Sequence, residues 1–232
     1  MTRTVSEDEV QPPTLIDHVT GPWREPPGQD LSRILSISDG IFAFAMTLLV
    51  LNLTGLAFLA CGTGTEPACT DALLRSSLGS TWSAFVGYVT VFLVIALYWT
   101  VHHRTFRYIE RYDGTLIWLN IFFLITIAFM PFVLEVYNRF SDSAIAITLF
   151  SATSASTGLL LGAIWWHASG DGHLLDVRLP PNVVTYYRRR GFALPLVFIF
   201  TIPVAFVDPS IAAYCWLAAF PASILMRRYG AA

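Results

Sequence analysis

Ionisable side chains stand out most where the surrounding residues are oily, and the stretch RILSISDGIFAFAMTLLVL, residues 33–51, places Arg33 and Asp39 at the mouth of such a run. Charge at membrane depth is costly and marks a functional site by default. Six residues along an α-helix is 600°, so Arg33 and Asp39 lie about 120° apart and about 9 Å along the axis. They therefore do not pair with one another on a single helix. Arg33 either snorkels to the membrane surface or joins a network with other helices. Asp39, short and two turns further in beside Ser38, needs partners from neighbouring helices or water. His102 and His103 at the end of one apolar run, and Asp113, Trp118 and Asn120 at the start of the next, stand at the same level. Together these groups predict a polar knot at one end of a helical bundle.

Other chemistry finds less support. Adjacent residues on a helix point about 100° apart, so His102 and His103 do not chelate one metal, and His167 and His173 add no ligand spacing. No metal site and no cofactor are expected. The chain has no G-x-S-x-G elbow, no H-E-x-x-H and no pair of intramembrane aspartates, so no enzyme is expected. Cys61 and Cys69, eight residues apart in CGTGTEPAC, either form a disulfide on an oxidising face or remain two loop thiols, and Cys215 sits in an apolar run. VGYVTV at residues 86–91 has the look of a carbonyl ion filter, but it lies in mid-run without a re-entrant segment or a second glycine. It is expected to be helix packing, with Gly87 allowing a neighbour to approach.

The elements that must carry these groups follow from hydropathy. Of the 232 residues, 55% are hydrophobic and 13% charged, against about 25% charged in soluble domains. Windows 40–60, 76–101, 114–134, 143–166, 191–207 and 209–226 hold no Asp, Glu, Lys or Arg. A spanning helix needs about 17–25 apolar residues, and the six windows predict an all-α membrane protein with six spans, over residues 31–228. Residues 1–30, polar, rich in proline and without a signal-peptide core, are expected to form a flexible cytoplasmic tail, and 229–232 a short C-terminal one.

All 14 basic residues are arginine, and alternating the six windows puts every one except Arg75 and Arg139 on a single side. The positive-inside rule makes that side, with both termini, cytoplasmic. Arg188, Arg189 and Arg190 fit contact with anionic lipid head groups, and no basic–aromatic patch suggests nucleic acid. The fourth window, rich in Ser, Thr, Ala and Gly, is expected to pack closely against other helices. A kink or end is expected at Pro131, a linker over 168–190, and a tight hairpin at Asp208-Pro209. Phe44, Thr47, Leu48 and Leu51 follow i, i+3, i+4, i+7 spacing on one helix face. In an ordinary bundle they would be core; repeated around a symmetry axis they would line a pore.

The stretch Arg33-Ile-Leu-Ser-Ile37-Ser38-Asp39 resembles the R-x-x-x-F-S-D signature that opens helix 1 of the transmembrane protein 175 family of potassium channels, with Ile37 in place of Phe. GIFAFAMTLLVLNL is close to the bacterial continuation, and LYWTVHHRTFRYIERYDGTLIWLNIFFLITIAFMPF extends the resemblance. The resemblance implies a homotetramer around a central pore lined by helix 1, with apolar rings and no carbonyl filter, conducting K+ through the bacterial plasma membrane. By distance from the signature the constriction falls on Phe44, Leu48 and Leu51, with Thr47 as a polar layer. The family carries Ile or Leu at the first of these, and four phenyl rings at Phe44 would crowd an axis. Arg33, Ser38 and Asp39 are implied to support the pore helix through an inter-helix hydrogen-bond network. The competing expectation is a proton- or cation-coupled transporter that uses Asp39 with His102 or His103 as a relay.

Overall fold

A computed structural model describes residues 29–53, 71–170 and 174–216. Among these residues the secondary structure is helical, with one isolated antiparallel bridge between Ile109 and Leu175. In chain order the helices are α1 (Gln29–Leu48), α2 (Asp71–Phe106), α3 (Gly114–Arg139), α4 (Ala144–Gly170), α5 (Pro181–Arg190), α6 (Ala193–Ala205) and α7 (Pro209–Cys215). Among the described residues, four stretches are long and apolar enough to cross a membrane: Leu31–Leu53, Thr81–Phe106, Gly114–Arg139 and Ala144–Gly170. The fifth window becomes the 13-residue α6, about 20 Å long at 1.5 Å per residue. The sixth begins as α7, and its part beyond Trp216 lies outside the described residues, as do Cys61, Cys69, the C-terminal tail and residues 1–28 of the N-terminal one, whose last two residues open α1.

Helix boundaries depart from the hydropathy windows where amphipathic or capped segments extend them. α2 starts at Asp71 and runs past His103 to Phe106. α3 continues through Pro131 to Arg139; proline is tolerated inside membrane helices. Glu135 and Arg139, one turn apart, pair at 2.7 Å at its end. The α3 N-terminus is fixed by Asp113, whose Oδ1 accepts from Leu116 N at 2.8 Å. Asp208 caps α7 in the same way, accepting from Ser210 N and Ile211 N, with Pro209 behind it. The expected turn at Asp208-Pro209 thus joins α6 to α7, which pack on one another, while the rest of the expected second arm lies outside the described residues.

The segment expected to be a linker carries α5 and bonds to the bundle. Glu110 N donates to Leu174 O at 2.9 Å, and Asp176 N to Tyr108 O at 3.1 Å. Tyr108 meets Trp165 and Tyr187 edge to face, and Trp165 and Tyr187 lie tilted against each other, where α5 meets the end of α4; Trp165 Nε1 donates to Val184 O.

α4 is the hub, packed on α3 and α6, while α3 also carries α1 and α2. Its small residues set the spacing. A Cβ on Gly158 would lie 2.8 Å from the ring carbons of Pro195, and Gly162 faces the backbone of Gly191. Gly87 behaves similarly in α2, where a Cβ would stand 2.9 Å from Asn138 Oδ1. Polar side chains then tie helices together inside the apolar core. The Thr126 and Thr157 hydroxyls lie 2.8 Å apart, and those of Ser151 and Thr201 2.7 Å apart. Tyr98 donates to Ser154 O at 2.6 Å.

Candidate functional site on the first helix

α1 has two faces of different character. Ser38, Phe42, Ala45 and Leu49, at i, i+4, i+7 and i+11, are buried against α3 and α2. This periodicity leaves the opposite face outward. Phe44 and Leu51 are 64% and 58% exposed in the single chain, and Thr47 is exposed beside them with its hydroxyl turned back to Phe44 O at 2.8 Å. Leu48, on the flank between the two faces, is half-buried.

The buried face ends in a three-helix knot. Ser38 Oγ donates to Ile34 O at 2.8 Å and accepts from Asn120 Nδ2 at 3.1 Å. Asn120 Oδ1 lies 3.0 Å from His102 Nε2. Because the Ser38 proton goes to the backbone, Asn120 must donate to Ser38, which leaves its carbonyl to accept a proton from His102 Nε2. The imidazole is enclosed by Phe42, Phe106 and Phe123, with the Phe123 ring parallel at 5.2 Å. α1, α2 and α3 are thus joined through one asparagine in a dry aromatic box.

Asp39 lies outside that box. It is exposed, and its Oδ1 accepts from Trp99 Nε1 at 2.9 Å. The Trp99 ring stacks on His103 at 5.6 Å, so His103 meets Asp39 only through the indole. Trp99 is the participant that sequence reasoning missed. The available signal is its position four residues before His103, on the same helix face.

The remaining residues expected in the knot stand elsewhere. Asp113 caps α3 and pairs with His167 at the end of α4, Oδ2 to Nε2 at 2.8 Å. Partial burial pulls the Asp113 carboxyl up, but the hydrogen bond from Leu116 N and the bond and charge of His167 outweigh it and hold it below its ordinary value. Trp118 is exposed and lies against Phe122. Arg33 is exposed and forms no hydrogen bond or ion pair among the described residues. The arginine and the aspartate of the opening stretch therefore do not share a partner.

An all-helical bundle with four membrane-length apolar helices, its first helix fastened at one end and apolar on its outward face, is the architecture of a multi-pass membrane protein. Comparison with known proteins narrows the class. The family model described as endosomal/lysosomal potassium channel TMEM175 matches residues 33–131. A protein from Streptomyces collinus named a potassium channel is 33% identical over 180 residues, covering 76% of this chain and 82% of its own. One from Chamaesiphon minutus, also named a potassium channel, is 28% identical, covering 74% and 84%. Human TMEM175, named an endosomal/lysosomal proton channel, is 26% identical over 71% of this chain and 31% of its own. The crystal structure of a lysosomal potassium-selective channel TMEM175 homolog from Chamaesiphon minutus shares the fold, with a TM-score of 0.69, 22% identity, and coverage of 85% and 98%. The chain belongs to the TMEM175 family of ion channels, and so is a membrane channel protein and not an enzyme.

Proposed function

We propose that this chain forms a passive K+-selective channel of the bacterial plasma membrane. Four copies, each with six spans and cytoplasmic termini, close a pore with the outward face of α1. The observation that carries this reading is the split character of α1: Phe44, Thr47 and Leu51 turn away from the bundle that buries Phe42, Ala45 and Leu49. Leu48 joins the constriction from the flank. The names of the two bacterial relatives support the same ion. Apolar rings provide no oxygen to replace a hydration shell, so discrimination rests on how readily water is shed, which favours K+ over the more tightly hydrated Na+. The same rings close the path by dewetting. The polar knot and Asp39 fasten the pore helix and do not bind the ion. Lipid head groups would surround the arginine-rich side.

A coupled transporter would need Asp39 in contact with a histidine. Its carboxylate meets Trp99, and His102 is engaged by Asn120, which favours the channel. Reconstitution into planar bilayers is the test. Current without a proton gradient should reverse near the K+ equilibrium potential, and Leu48→Asn or Leu51→Asn should alter conductance or selectivity without loss of assembly. A saturating flux that requires a proton gradient would remove the channel reading.

A further inference from the structure

We infer that Asn52 is the positioning residue of the constriction: its side-chain hydrogen bond to the Pro131 carbonyl sets the rotation of the outermost turn of α1. The inference rests on α1 being the pore helix.

The regular ladder of α1 stops at Leu48. Beyond it the chain bonds three residues back, with Val50 N to Thr47 O at 3.4 Å, Asn52 N to Leu49 O at 3.2 Å and Leu53 N to Val50 O at 3.0 Å. Such i→i+3 turns have poorer hydrogen-bond geometry than α-helix. Leu51, the outermost residue of the stripe, follows this tightened turn and opens the short helical stretch 51–53, so its direction depends on how that stretch is seated on its neighbours. Asn52, the next residue, points the other way and is half-buried. Its Nδ2 donates to Pro131 O at 3.1 Å, across 79 residues of sequence.

The acceptor belongs to a well-packed stretch of α3, where Met130, Val133 and Leu134 are buried. Pro131 lacks an N–H, which leaves a local fault in the α3 ladder, yet its own carbonyl reaches the α1 turn. With Leu49 buried on the same side of α1, the Asn52 amide supplies a directional contact that an apolar side chain lacks. Side-chain tips lie about 5–6 Å from a helix axis. A 20° rotation of the turn would therefore move the Leu51 tip by about 2 Å, enough to change an apolar ring through which an ion passes. The tie thereby links the geometry of the ring to the proline region of α3.

The test compares parent, Asn52→Leu, Asn52→Gln and Leu51→Asn in planar bilayers with K+ and Na+, alongside subunit number and melting temperature. Asn52→Leu keeps the shape but has no donor. It is expected to assemble as the parent does while losing single-channel K+ current and K+ preference over Na+, and Asn52→Gln, which keeps the donor, should recover part of both. If Asn52→Leu does not assemble, Asn52→Ser, whose hydroxyl is too short for Pro131 O, takes its place in the same recording. Parent-like permeation in Asn52→Leu or Asn52→Ser, with altered permeation in Leu51→Asn, overturns the positioning role and leaves the pore reading standing. Unaltered permeation in Leu51→Asn removes the pore reading itself, and the inference with it.

Discussion

Replacing Asn120 by leucine tests the inter-helix knot most directly. The substitution fits the volume but removes both groups that face Ser38 and His102. Ser38 keeps its bond to Ile34 O, so its loss is one interhelical contact, which averages about 0.6 kcal/mol in membrane bundles. The His102 Nε2–H has no such reserve. It is left in a box of Phe42, Phe106 and Phe123, and an unpaired buried donor costs about 1–3 kcal/mol. Asn120→Leu should therefore destabilise the protein by about 2–4 kcal/mol, and Ser38→Ala by about 0.6 kcal/mol. The assay is reversible unfolding in mixed micelles, followed by tryptophan fluorescence. A second variant, His102→Phe, closes a double-mutant cycle with Asn120→Leu. Because removing both partners of a buried hydrogen bond is cheaper than removing one, the double variant should be more stable than the sum of the single losses predicts, with coupling of about 1–2 kcal/mol. Strict additivity, or an Asn120→Leu cost no larger than that of Ser38→Ala, would refute the account of a satisfied knot whose expensive member is the histidine.

Other perturbations separate close packing from mere smallness. Gly158→Ala should cost about 1–3 kcal/mol, because its new methyl meets the rigid ring of Pro195. Gly162→Ala, whose Cβ would stand 3.8 Å from Gly191 O, should be near neutral in the same unfolding assay. At the N-terminus of α3, Asp113→Ala should cost about 1 kcal/mol through loss of the helix cap. Asp113→Asn preserves the cap and removes the charge facing His167. Since the folded state depresses the Asp113 carboxyl, its contribution is present above the ordinary carboxylate range and is lost as pH falls through the folded value. The stability gap between parent and Asp113→Asn should accordingly close in acid, and a gap that persists there would assign the effect to packing. Phe44→Leu should change single-channel conductance while leaving unfolding nearly unaltered, because Phe44 makes little contact within its own chain.

Membrane character, α1 with its polar entrance, and the four long helices were legible because hydropathy and helical periodicity are local quantities. The small-residue character of α4 likewise announced close packing, and Gly158 against Pro195 is its physical form. Ser38, His102 and Asn120 were recognisable as one cluster because each stands at the same end of an apolar run. Their order of bonding was not recoverable, since it depends on how α1, α2 and α3 rotate about their axes. That rotation gave Asp39 to Trp99 and Asp113 to His167, and left Arg33 and Trp118 outward. It also placed Leu48 at the flank of a stripe that spacing alone puts on one face.

Where the chain is oily, where charge is tolerated, and which residues near α1 share a face can be read along the chain, because each rests on composition or on a fixed 3.6-residue period. Which face of α1 is buried and which polar groups meet depends on the assembled bundle. Those outcomes come from side-chain packing between helices distant in the chain, as in the 79-residue reach from Asn52 to Pro131, for which no local pattern carries a signal.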